Sequence, residues 1–475
     1  MERVELAQAV ALTGAVAAPL LLVARTRLAL GAGFLGLLVA EIGLAFALVP
    51  DQIEAFTSSA PRIAATLAGF LALGALAALF VRVPEIVPAA LLAVSAVRVP
   101  LTVRGEEAFL LVPLYAVLAA SALALVYEVF RGARPRPLPL FLSLPAGAYV
   151  AIAGISLLWS DDPREGSIEL FFFLFPCTVL VAVLAQARLT DFVCKSLALV
   201  LIATSTIAAA IGISQQWTHA LFFADDLQTS NAFTSFYRVS SFFSDPSVFG
   251  RYVALGIVVL FVLLWLGRVR PALGLPVLAI LSAGLYFSYS QSSFVALFAA
   301  VLVVVLVRGD RRARLAVAVT AVAVVLVGAG LVAAAARGDS VRQTTSDRWG
   351  LASRTLPVFG DHPLAGVGIG SQALASSKLE GARRGETRNV SHTTPLTVAA
   401  ELGLLGLAAY VAFLVGATRG SVLVLRKEPA VGLSLLGALV LLIVHSLAYS
   451  GFFEDPFIWF VVGLAGAYLT TAPDE

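Results

Sequence analysis

The chain has 475 residues, of which 60% are hydrophobic and only 13% are charged, and its mean hydropathy is +0.95. Soluble domains are about a quarter charged, so this composition excludes a soluble globular protein and indicates a polytopic helical membrane protein. The net charge of +3 identifies no partner, because positive and negative residues fall in different connections, and no nucleic-acid partner is expected.

Apolar runs along the chain predict the membrane spans, since a spanning helix needs about 20 apolar residues. The candidate runs are 6–24, 28–50, 62–81, 84–99, 108–130, 138–159, 167–187, 190–213, 247–267, 271–289, 291–307, 314–336, 393–417, 430–450 and 456–472. The run 84–99 is the weakest, because it is short and contains two prolines, and we expect it to be re-entrant or tilted. The sequence therefore predicts an all-α polytopic membrane protein with about 15 (14–15) transmembrane helices and a long helical outer loop before the third-last helix.

The basic residues indicate an orientation, because positively charged short loops stay in the cytoplasm. They occupy alternating connections: Arg25 and Arg27; Arg131, Arg134 and Arg136; Arg268 and Arg270; Arg308, Arg311, Arg312 and Arg314; Arg419, Arg426 and Lys427. The intervening connections are acidic or neutral. This alternation places the N-terminus and the long loop 337–391 outside, and the C-terminus inside.

Four segments follow from these boundaries. They are an N-terminal transmembrane block (1–130), central transmembrane helices with an outer loop at 214–246 (138–336), an extracytoplasmic loop expected to be catalytic (337–391), and C-terminal transmembrane helices (392–475). The proline spacing in 131–137 predicts a non-helical cytoplasmic hinge. No cleavable signal peptide is expected, because Arg25 follows the first run where small residues would mark a cleavage site. The two cysteines, Cys177 and Cys194, indicate neither a disulfide nor a metal site.

The stretch 337–406 combines the longest polar segment with a histidine beside the bilayer. Its basic residues are Arg337, Arg342, Arg348, Arg354, Lys378, Arg383, Arg384 and Arg388. His392 follows, directly before an apolar run. One guanidinium group can bind two phosphate oxygens at once. This stretch therefore indicates binding of an anionic group that is carried by a lipid.

Three outer motifs carry a family resemblance. The first is Tyr-Arg-Val-Ser-Ser-Phe-Phe-Ser-Asp-Pro-Ser at 237–247, and the second is Asp-Arg-Trp at 347–349 followed by Asp-His-Pro-Leu-Ala-Gly-Val-Gly-Ile-Gly at 361–370. The third comprises His392, Leu396, Glu401, Gly403 and Gly406. In this order and spacing they resemble the O-antigen ligase and polymerase superfamily of membrane glycosyltransferases, from about residue 238 to the C-terminus, which leaves 1–130 unexplained.

The chain departs from the family pattern at four positions. Ser241 replaces a glycine, and Asp245 and Ser247 replace asparagines in the first motif. In the Ser-Tyr-Ser-Gln-Ser turn at 288–292, Gln291 replaces an arginine of the family's Ser-Arg turn. The last change removes an expected phosphate contact, which Arg238 or Arg251 is expected to supply.

The resemblance implies a metal-independent and cofactor-free glycosyltransferase of the bacterial inner membrane, with its site on the extracytoplasmic face. Such enzymes move a glycan from a polyprenyl (undecaprenyl) diphosphate donor to a hydroxyl acceptor. A ligase uses the lipid A core as acceptor and a polymerase uses another lipid-linked repeat unit, and the sequence does not separate them. The implied partners are the lipid-linked donor, a glycan or lipid–glycan acceptor and membrane lipids.

Two other functions remain as alternatives. A transporter or flippase of lipid-linked sugars would also need arginines for the diphosphate, but it is expected to carry charges deep in several helices. The spans here are almost uncharged, with Glu41 as an exception, which favours chemistry at one face. A non-catalytic scaffold would leave the third motif unexplained.

The resemblance gives the basic residues different expected roles. The predicted diphosphate-binding set is Arg348, Arg383, Arg384, Arg388 and Arg238, with Gln291 at the position of the missing arginine. Arginines stabilise the charge that develops on the leaving diphosphate, as a metal ion does in other transferases. Arg342, Arg354 and Lys378 are expected to face lipid headgroups.

His392 is the predicted general base, which takes the proton of the acceptor hydroxyl. Thr393 or Thr394 is expected to cap the following helix, and Pro395 suits its first turn. The positive end of a helix disfavours imidazolium, so His392 is expected to be neutral near pH 7 and transfer to fall below about pH 6.5. His219, His362 and His445 are expected to be structural.

The remaining polar motif residues leave alternatives open. Glu401, the second predicted catalytic residue, is expected to orient His392 or to pair with a loop arginine, the structural salt bridge being favoured over catalysis. The glycines at 366, 368 and 370 suit either amide contacts to a phosphate or tight turns, and turns are expected. The pair Asp161 and Asp162 suits a metal site or an acidic loop, and a loop is expected.

Overall fold

A computed structural model describes residues 2–103, 106–320, 348–379 and 391–470, and these are almost entirely helical. The helices of the first half are α1 (Glu2–Val23), α2 (Arg27–Leu48), α3 (Pro50–Thr57), α4 (Ala60–Arg82), α5 (Val87–Val94), α6 (Val112–Phe130), α7 (Leu140–Ser156), α8 (Pro163–Glu169), α9 (Phe175–Ala185) and α10 (Asp191–Thr218). Those of the second half are α11 (Asp225–Asn231), α12 (Pro246–Trp265), α13 (Pro271–Ser288), α14 (Gln291–Arg308), α15 (Arg348–Asp361), α16 (Gln372–Leu379), α17 (Thr394–Lys427), α18 (Pro429–Ser446) and α19 (Pro456–Thr470). A π-helical turn at Leu170–Leu174 joins α8 to α9, and residues 311–320 are also helical.

Eleven helices in the described part of the chain are long and apolar enough to cross a membrane, with α8 and α9 counted as one. Pro84–Val94, α7 and α19 are shorter apolar helices. In hydrocarbon the backbone must satisfy its own hydrogen bonds, which explains why the apolar runs are helical. The prediction of a helical polytopic membrane protein is confirmed. The count of 15 stays a prediction, because the run 314–336 extends beyond the described residues.

One hairpin interrupts the all-helical pattern. Strand β1 (Val99–Val103) pairs antiparallel with β2 (Glu106–Leu110), in a register that places Val99 opposite Leu110 and Val103 opposite Glu106. The sequence analysis placed the end of run 84–99 and the start of run 108–130 in helices, and the hairpin corrects both boundaries. Valine and threonine favour extended backbone, and the helix before the hairpin is only eight residues long.

Small residues let the helices of the core approach closely. A Cβ added to Gly33 would lie 2.8 Å from the Leu21 backbone, and one added to Gly147 would lie 2.9 Å from the Cα of Pro19. Helix α1 thus packs against both α2 and α7, and one hydrophobic cluster extends from α1 to α19. The segment 131–137 is non-helical, as its prolines predict, and α1, which precedes it, packs against α7, which follows it.

The connections meet at two ends of the helix bundle. At one end, which carries the three outer motifs and is called the motif end, segments 157–162, 362–371 and 391–393 and the loops 219–245, 289–290 and 447–455 are joined by hydrogen bonds and an ion pair. At the opposite end, Arg136 donates to the Gln186 carbonyl and Arg268 pairs with Glu428. The motif residues, distant in sequence, are therefore neighbours in the fold.

Candidate functional site

Helix α17 is interrupted at the motif end. The helix is interrupted at Gly403, whose φ of 62° and ψ of −159° are not helical. The Leu404 amide donates to the Pro363 carbonyl at 2.8 Å instead of to its own helix. The break therefore opens one side of α17 to the segment 363–370, which no pattern in the apolar run had indicated.

The glycine segment 366–370 fills this opening as a series of turns and bends. The Val367 amide donates to the Ala400 carbonyl at 3.0 Å, and the Gly368 amide donates to the Glu401 carbonyl at 2.8 Å. The three glycines of the segment have φ values of 67°, 90° and 73°. A Cβ on Gly366 would lie 2.2 Å from the Glu401 carbonyl oxygen, so only glycine fits there.

The amides of this segment are occupied within the protein. The Ile369 amide donates to the Ser156 hydroxyl at 3.0 Å, in addition to the two amide bonds to α17. The alternative in which these amides hold a phosphate is therefore wrong for residues 367–369. The expected role of the glycines in tight turns is the one that the structure supports.

The other side of the glycine segment packs on the start of α8. The Asp161 amide donates to the Val367 carbonyl at 3.2 Å, and the Ser160 and Ser371 hydroxyls hydrogen bond at 2.8 Å. A Cβ on Gly368 would lie 2.4 Å from the Cα of Ser160. The matched motifs thus depend on residues near 160, which the family pattern did not single out.

The acidic pair at 161–162 is structural. Asp161 forms an ion pair with Lys378 at 2.9 Å, although Lys378 was expected to face lipid headgroups. Asp162 caps α8, because its carboxylate accepts the Glu165 amide. Within the described residues, no group of three or more His, Cys, Asp and Glu is placed to hold a metal.

Glu401 is buried on α17 and points at the start of α16. Its carboxylate accepts the Gln372 amide at 3.1 Å, and the Gly370 amide also donates to it. Charge-assisted bonds from backbone amides are among the stronger hydrogen bonds in proteins. Among the described residues Glu401 thus holds the turn that ends the glycine segment, and its expected pairing with a loop arginine or with His392 stays a prediction, because Arg383, Arg384 and Arg388 lie outside the described residues.

Gln372 connects Glu401 to the residue before His392. Its side-chain carbonyl accepts the Ser391 amide at 2.9 Å, and its amide nitrogen donates to Thr355 at 3.0 Å and Ser376 at 2.9 Å. Gln372 is 1% exposed, so these bonds are shielded from water. The sequence analysis missed this residue, because a glutamine after a glycine motif has no distinctive pattern.

His392 is half-buried and lies one residue before Thr393, the N-cap residue of α17. Thr393 occupies the predicted cap position, but its hydroxyl donates to the Leu447 carbonyl at 3.3 Å and makes no capping bond. Thr394 likewise donates to the Tyr449 carbonyl at 3.3 Å. Pro395 is in the first turn, as predicted. His392 therefore lies at the positive end of a helix that is fixed to loop 447–455.

Arg238 lies beside the turn that lacks the family arginine. Its Nε donates to the Ser288 carbonyl at 3.3 Å, and the Asn231 side chain bonds both its backbone amide and its carbonyl. Gln291 is exposed at the first position of α14. The structure thus brings the first motif against the turn 288–292, as expected if Arg238 compensates for Gln291.

The comparisons with known proteins bear on this arrangement. Residues 276–411 match the family model described as O-antigen ligase. The matched stretch contains the turn 288–292, the glycine segment and the start of α17, so the resemblance seen in the motifs is confirmed. No match was found among curated proteins.

Arg251, the other candidate to replace the missing arginine of the O-antigen ligase pattern, is already paired. It forms a buried ion pair with Asp455 at 2.7 Å, and its guanidinium lies 5.6 Å from the centre of the Tyr449 ring. Burial raises the pKa of the neighbouring Glu454 above its ordinary value. Arg251 therefore fixes loop 447–455, on which α17 rests, and Arg238 is the better placed of the two.

The other positions that the resemblance singled out have different outcomes. Arg348 is the first residue of α15, and its side chain lies outside what the structure describes. Arg383, Arg384 and Arg388 fall in 380–390, outside the described residues. His445 is buried and hydrogen bonds with the Ser292 hydroxyl at 3.2 Å, which agrees with its expected structural role.

Proposed function

We propose that the protein is a glycosyltransferase of the O-antigen ligase type. It moves a glycan from a polyprenyl diphosphate donor to a hydroxyl acceptor at the motif end, on the extracytoplasmic side of a bacterial inner membrane. The main support is the convergence at that end of Arg238, the turn 288–292 and the His392 segment, which lie far apart in sequence. The family match covers two of these three parts.

In this proposal His392 accepts the proton of the acceptor hydroxyl. The acceptor oxygen then bonds to the anomeric carbon of the glycan, as the bond from that carbon to the diphosphate oxygen breaks. A positioned general base is worth about 10²–10⁴-fold in rate. The helix start behind His392 favours the neutral imidazole that this step requires.

Arg238 is proposed to contact the diphosphate, together with Arg348, Arg383, Arg384 and Arg388. These guanidinium groups neutralise the charge that the leaving diphosphate gains. Glu401 enters the proposal as a positioning residue, because its carboxylate holds the backbone at Gln372. No step passes through a metal ion or a cofactor.

The position of ionisable groups in the spans favours transfer over passage through the membrane. Glu41, Glu169, Arg251 and Glu401 lie within about two turns of the motif end in their helices. A transport path would need polar groups along its length. Other charged residues of the described spans, such as Glu128, Lys195 and Arg419, lie towards the opposite end, so no described helix carries charge along its length as a transport path would need.

A transfer assay with the purified full chain in proteoliposomes tests the proposal. The donor is a defined polyprenyl-diphosphate-linked glycan, and the acceptors are a lipid A core and a second lipid-linked repeat unit, supplied separately in excess chelator. Transfer to the core alone identifies a ligase, and transfer to the repeat unit alone identifies a polymerase. Movement of the donor across the bilayer without transfer would support a transporter instead.

His392→Ala is the decisive variant in this assay. We expect transfer to fall by about 10²-fold or more, with donor binding retained because arginines hold the diphosphate. His362→Ala is the matched control, since His362 is exposed at the end of α15 and its carbonyl, which accepts the Gly366 amide, is unchanged. A wild-type rate for His392→Ala would disprove its catalytic role.

A further inference from the structure

A cavity lies at the end of the helix bundle opposite the motif residues. It has a volume of about 860 Å³ and lies between α4, α5, α6, the segment 133–137 and the end of α9. Pockets that bind small molecules usually measure roughly 300–1,000 Å³. The cavity is large enough to accept part of a lipid, and the proposed transfer reaction makes no use of it.

The lining of this cavity is amphipathic. Phe80 and Val129 contribute buried apolar surface to its inner wall. Arg134 and Arg188 are exposed side chains of the lining, and Arg136 is half-buried. Apolar walls that end in guanidinium groups fit a molecule with a hydrocarbon part and an anionic part.

Arg136 is held in place by a reciprocal set of hydrogen bonds. Its guanidinium donates to the Gln186 carbonyl at 3.0 Å, its amide donates to the Gln186 side chain at 2.8 Å, and that side chain donates back to the Arg136 carbonyl at 2.9 Å. The arginine is thus preorganised, which lowers the entropy cost of binding an anion. Burial and the nearby charge of Arg188 both lower the pKa of Arg136, so an anion between the two arginines would relieve their repulsion.

The charge of the lining favours a singly charged anion. Three arginines and two glutamates, Glu85 and Glu128, line the cavity, which leaves one net positive charge. No ion pair involving these five residues occurs among the described residues. A phosphodiester carries one negative charge at neutral pH, whereas a diphosphate carries more. The charge therefore matches the headgroup of a membrane phospholipid better than the proposed donor.

We propose that this cavity binds one phospholipid molecule, with its phosphodiester between Arg136 and Arg188 and an acyl chain along Phe80 and Val129. The site is independent of the proposed transfer reaction, because it lies at the other end of the bundle. Its ligand comes from the bilayer itself, since a soluble phosphate would leave the apolar wall uncovered.

Native mass spectrometry of the full chain in detergent, titrated with phosphatidylglycerol, tests this site. We expect one tightly bound lipid per chain, and an apparent Kd that is ~10-fold or more weaker in Arg188→Gln. Arg311→Gln is the matched control, since Arg311 is an exposed arginine at the same end and does not line the cavity. It should bind the lipid like the wild type.

Two further measurements test where the lipid binds and whether its acyl chain is needed. Ala187→Trp adds a bulky side chain to the lining without changing its charge, and it too should weaken lipid binding ~10-fold or more. Glycerol phosphate, which has the headgroup but no acyl chain, should not displace the lipid. Equal binding by Arg188→Gln and Arg311→Gln, wild-type binding by Ala187→Trp, or displacement by glycerol phosphate would each overturn the proposal.

Discussion

At the scale of single residues, Gln372 determines how the backbone before His392 is held. It bonds four groups from different parts of the motif end: the Glu401 carboxylate, the Thr355 and Ser376 hydroxyls and the Ser391 amide. Only the bond to Glu401 uses its backbone. The other three belong to the side chain and disappear when it is truncated.

Gln372→Ala is expected to impair both stability and transfer. It leaves the buried Ser391 amide without its acceptor, which costs about 1–3 kcal/mol in the free energy of unfolding. We expect a lower midpoint of thermal unfolding in detergent, and a lower kcat with donor affinity preserved, because His392 loses its fixed position.

Ser377→Ala is the control for this variant. Ser377 is on the same short helix, and within the described part of the chain its hydroxyl bonds the Ala373 carbonyl one turn away. Its unfolding midpoint and kcat should stay near those of the wild type. Equal kcat values in the two variants would show that Gln372 does not position His392.

Arg238 carries a second prediction at this scale. Arg238→Gln should raise the apparent KM for the lipid-linked donor by about tenfold or more, because a charge-assisted contact to phosphate is lost. Arg238→Lys should recover only part of it, since an ammonium group cannot make the paired contacts of a guanidinium.

Arg164→Gln is the comparison for Arg238. Arg164 is an exposed arginine in the first turn of α8, also at the motif end, and it is outside all three motifs. If both variants raise KM equally, the arginines act through the general potential of that surface and Arg238 has no specific contact.

At the scale of elements, the break in α17 and the glycine segment form one unit. Gly403 interrupts the helix, and Gly366 packs against the backbone at the interruption. Neither glycine has space for a Cβ. The combination of positive φ and extended ψ at Gly403 is almost restricted to glycine.

Gly403→Ala is therefore expected to destabilise the protein. The backbone strain alone costs about 1–3 kcal/mol, and a Cβ would lie 2.4 Å from the Leu364 carbonyl carbon. Gly360→Ala is the opposite case, because Gly360 is helical in α15 with open space around its Cβ position, and it should stabilise by about 0.5–1 kcal/mol. The midpoints of thermal unfolding of the two variants are compared with that of the wild type. A wild-type midpoint for Gly403→Ala would mean that the break in α17 is not required.

The elements differ in how well the sequence predicts them. Apolar runs of sufficient length predicted spanning helices such as 271–288 to within a residue, because length and hydrophobicity alone determine them, but α17 extends ten residues beyond the predicted run 393–417. The break at Gly403 was not predicted, because one glycine inside an apolar run resembles the glycines that only permit helix packing. The hairpin at 99–110 was missed for a related reason: its strands are apolar enough to extend the neighbouring helical runs.

The motif residues were predicted in kind, but their contacts were not. The resemblance singled out His392, Glu401 and the glycines, yet further partners of Glu401 and of the glycine segment come from Gln372 and from 156–162. Contacts between segments more than 200 residues apart leave no periodic signal in a single sequence. The roles of His392 and Arg238 stay predictions.

At the scale of the whole molecule, the connections meet at two opposite ends, and the charge rule assigns a side of the membrane to each. Cysteine labelling in intact cells with an impermeant reagent tests that assignment. Asp225→Cys, exposed at the motif end, should be labelled from outside, and Arg311→Cys, exposed at the opposite end, should not. The wild type is the negative control for labelling of the native cysteines, because Cys177 is buried and Cys194 is partly buried. Labelling of Arg311→Cys but not of Asp225→Cys would show that the orientation is the reverse of the assigned one.

The packing of the glycine segment determines how large the smallest autonomous piece of this protein is. Cut out at the limits of the family match, 276–411, the chain would keep Val367 and Ile369 but lose Ser160 and the Ser156 hydroxyl, against which that segment is built. In such a fragment the Ile369 amide would lose its acceptor, the Ser156 hydroxyl, and a lipid bilayer supplies no other acceptor. The stretch that matches the family model is thus shorter than the part of the chain that must fold together. Substitutions near residue 160 are therefore expected to disturb the glycine segment, although residue 160 lies outside all three motifs.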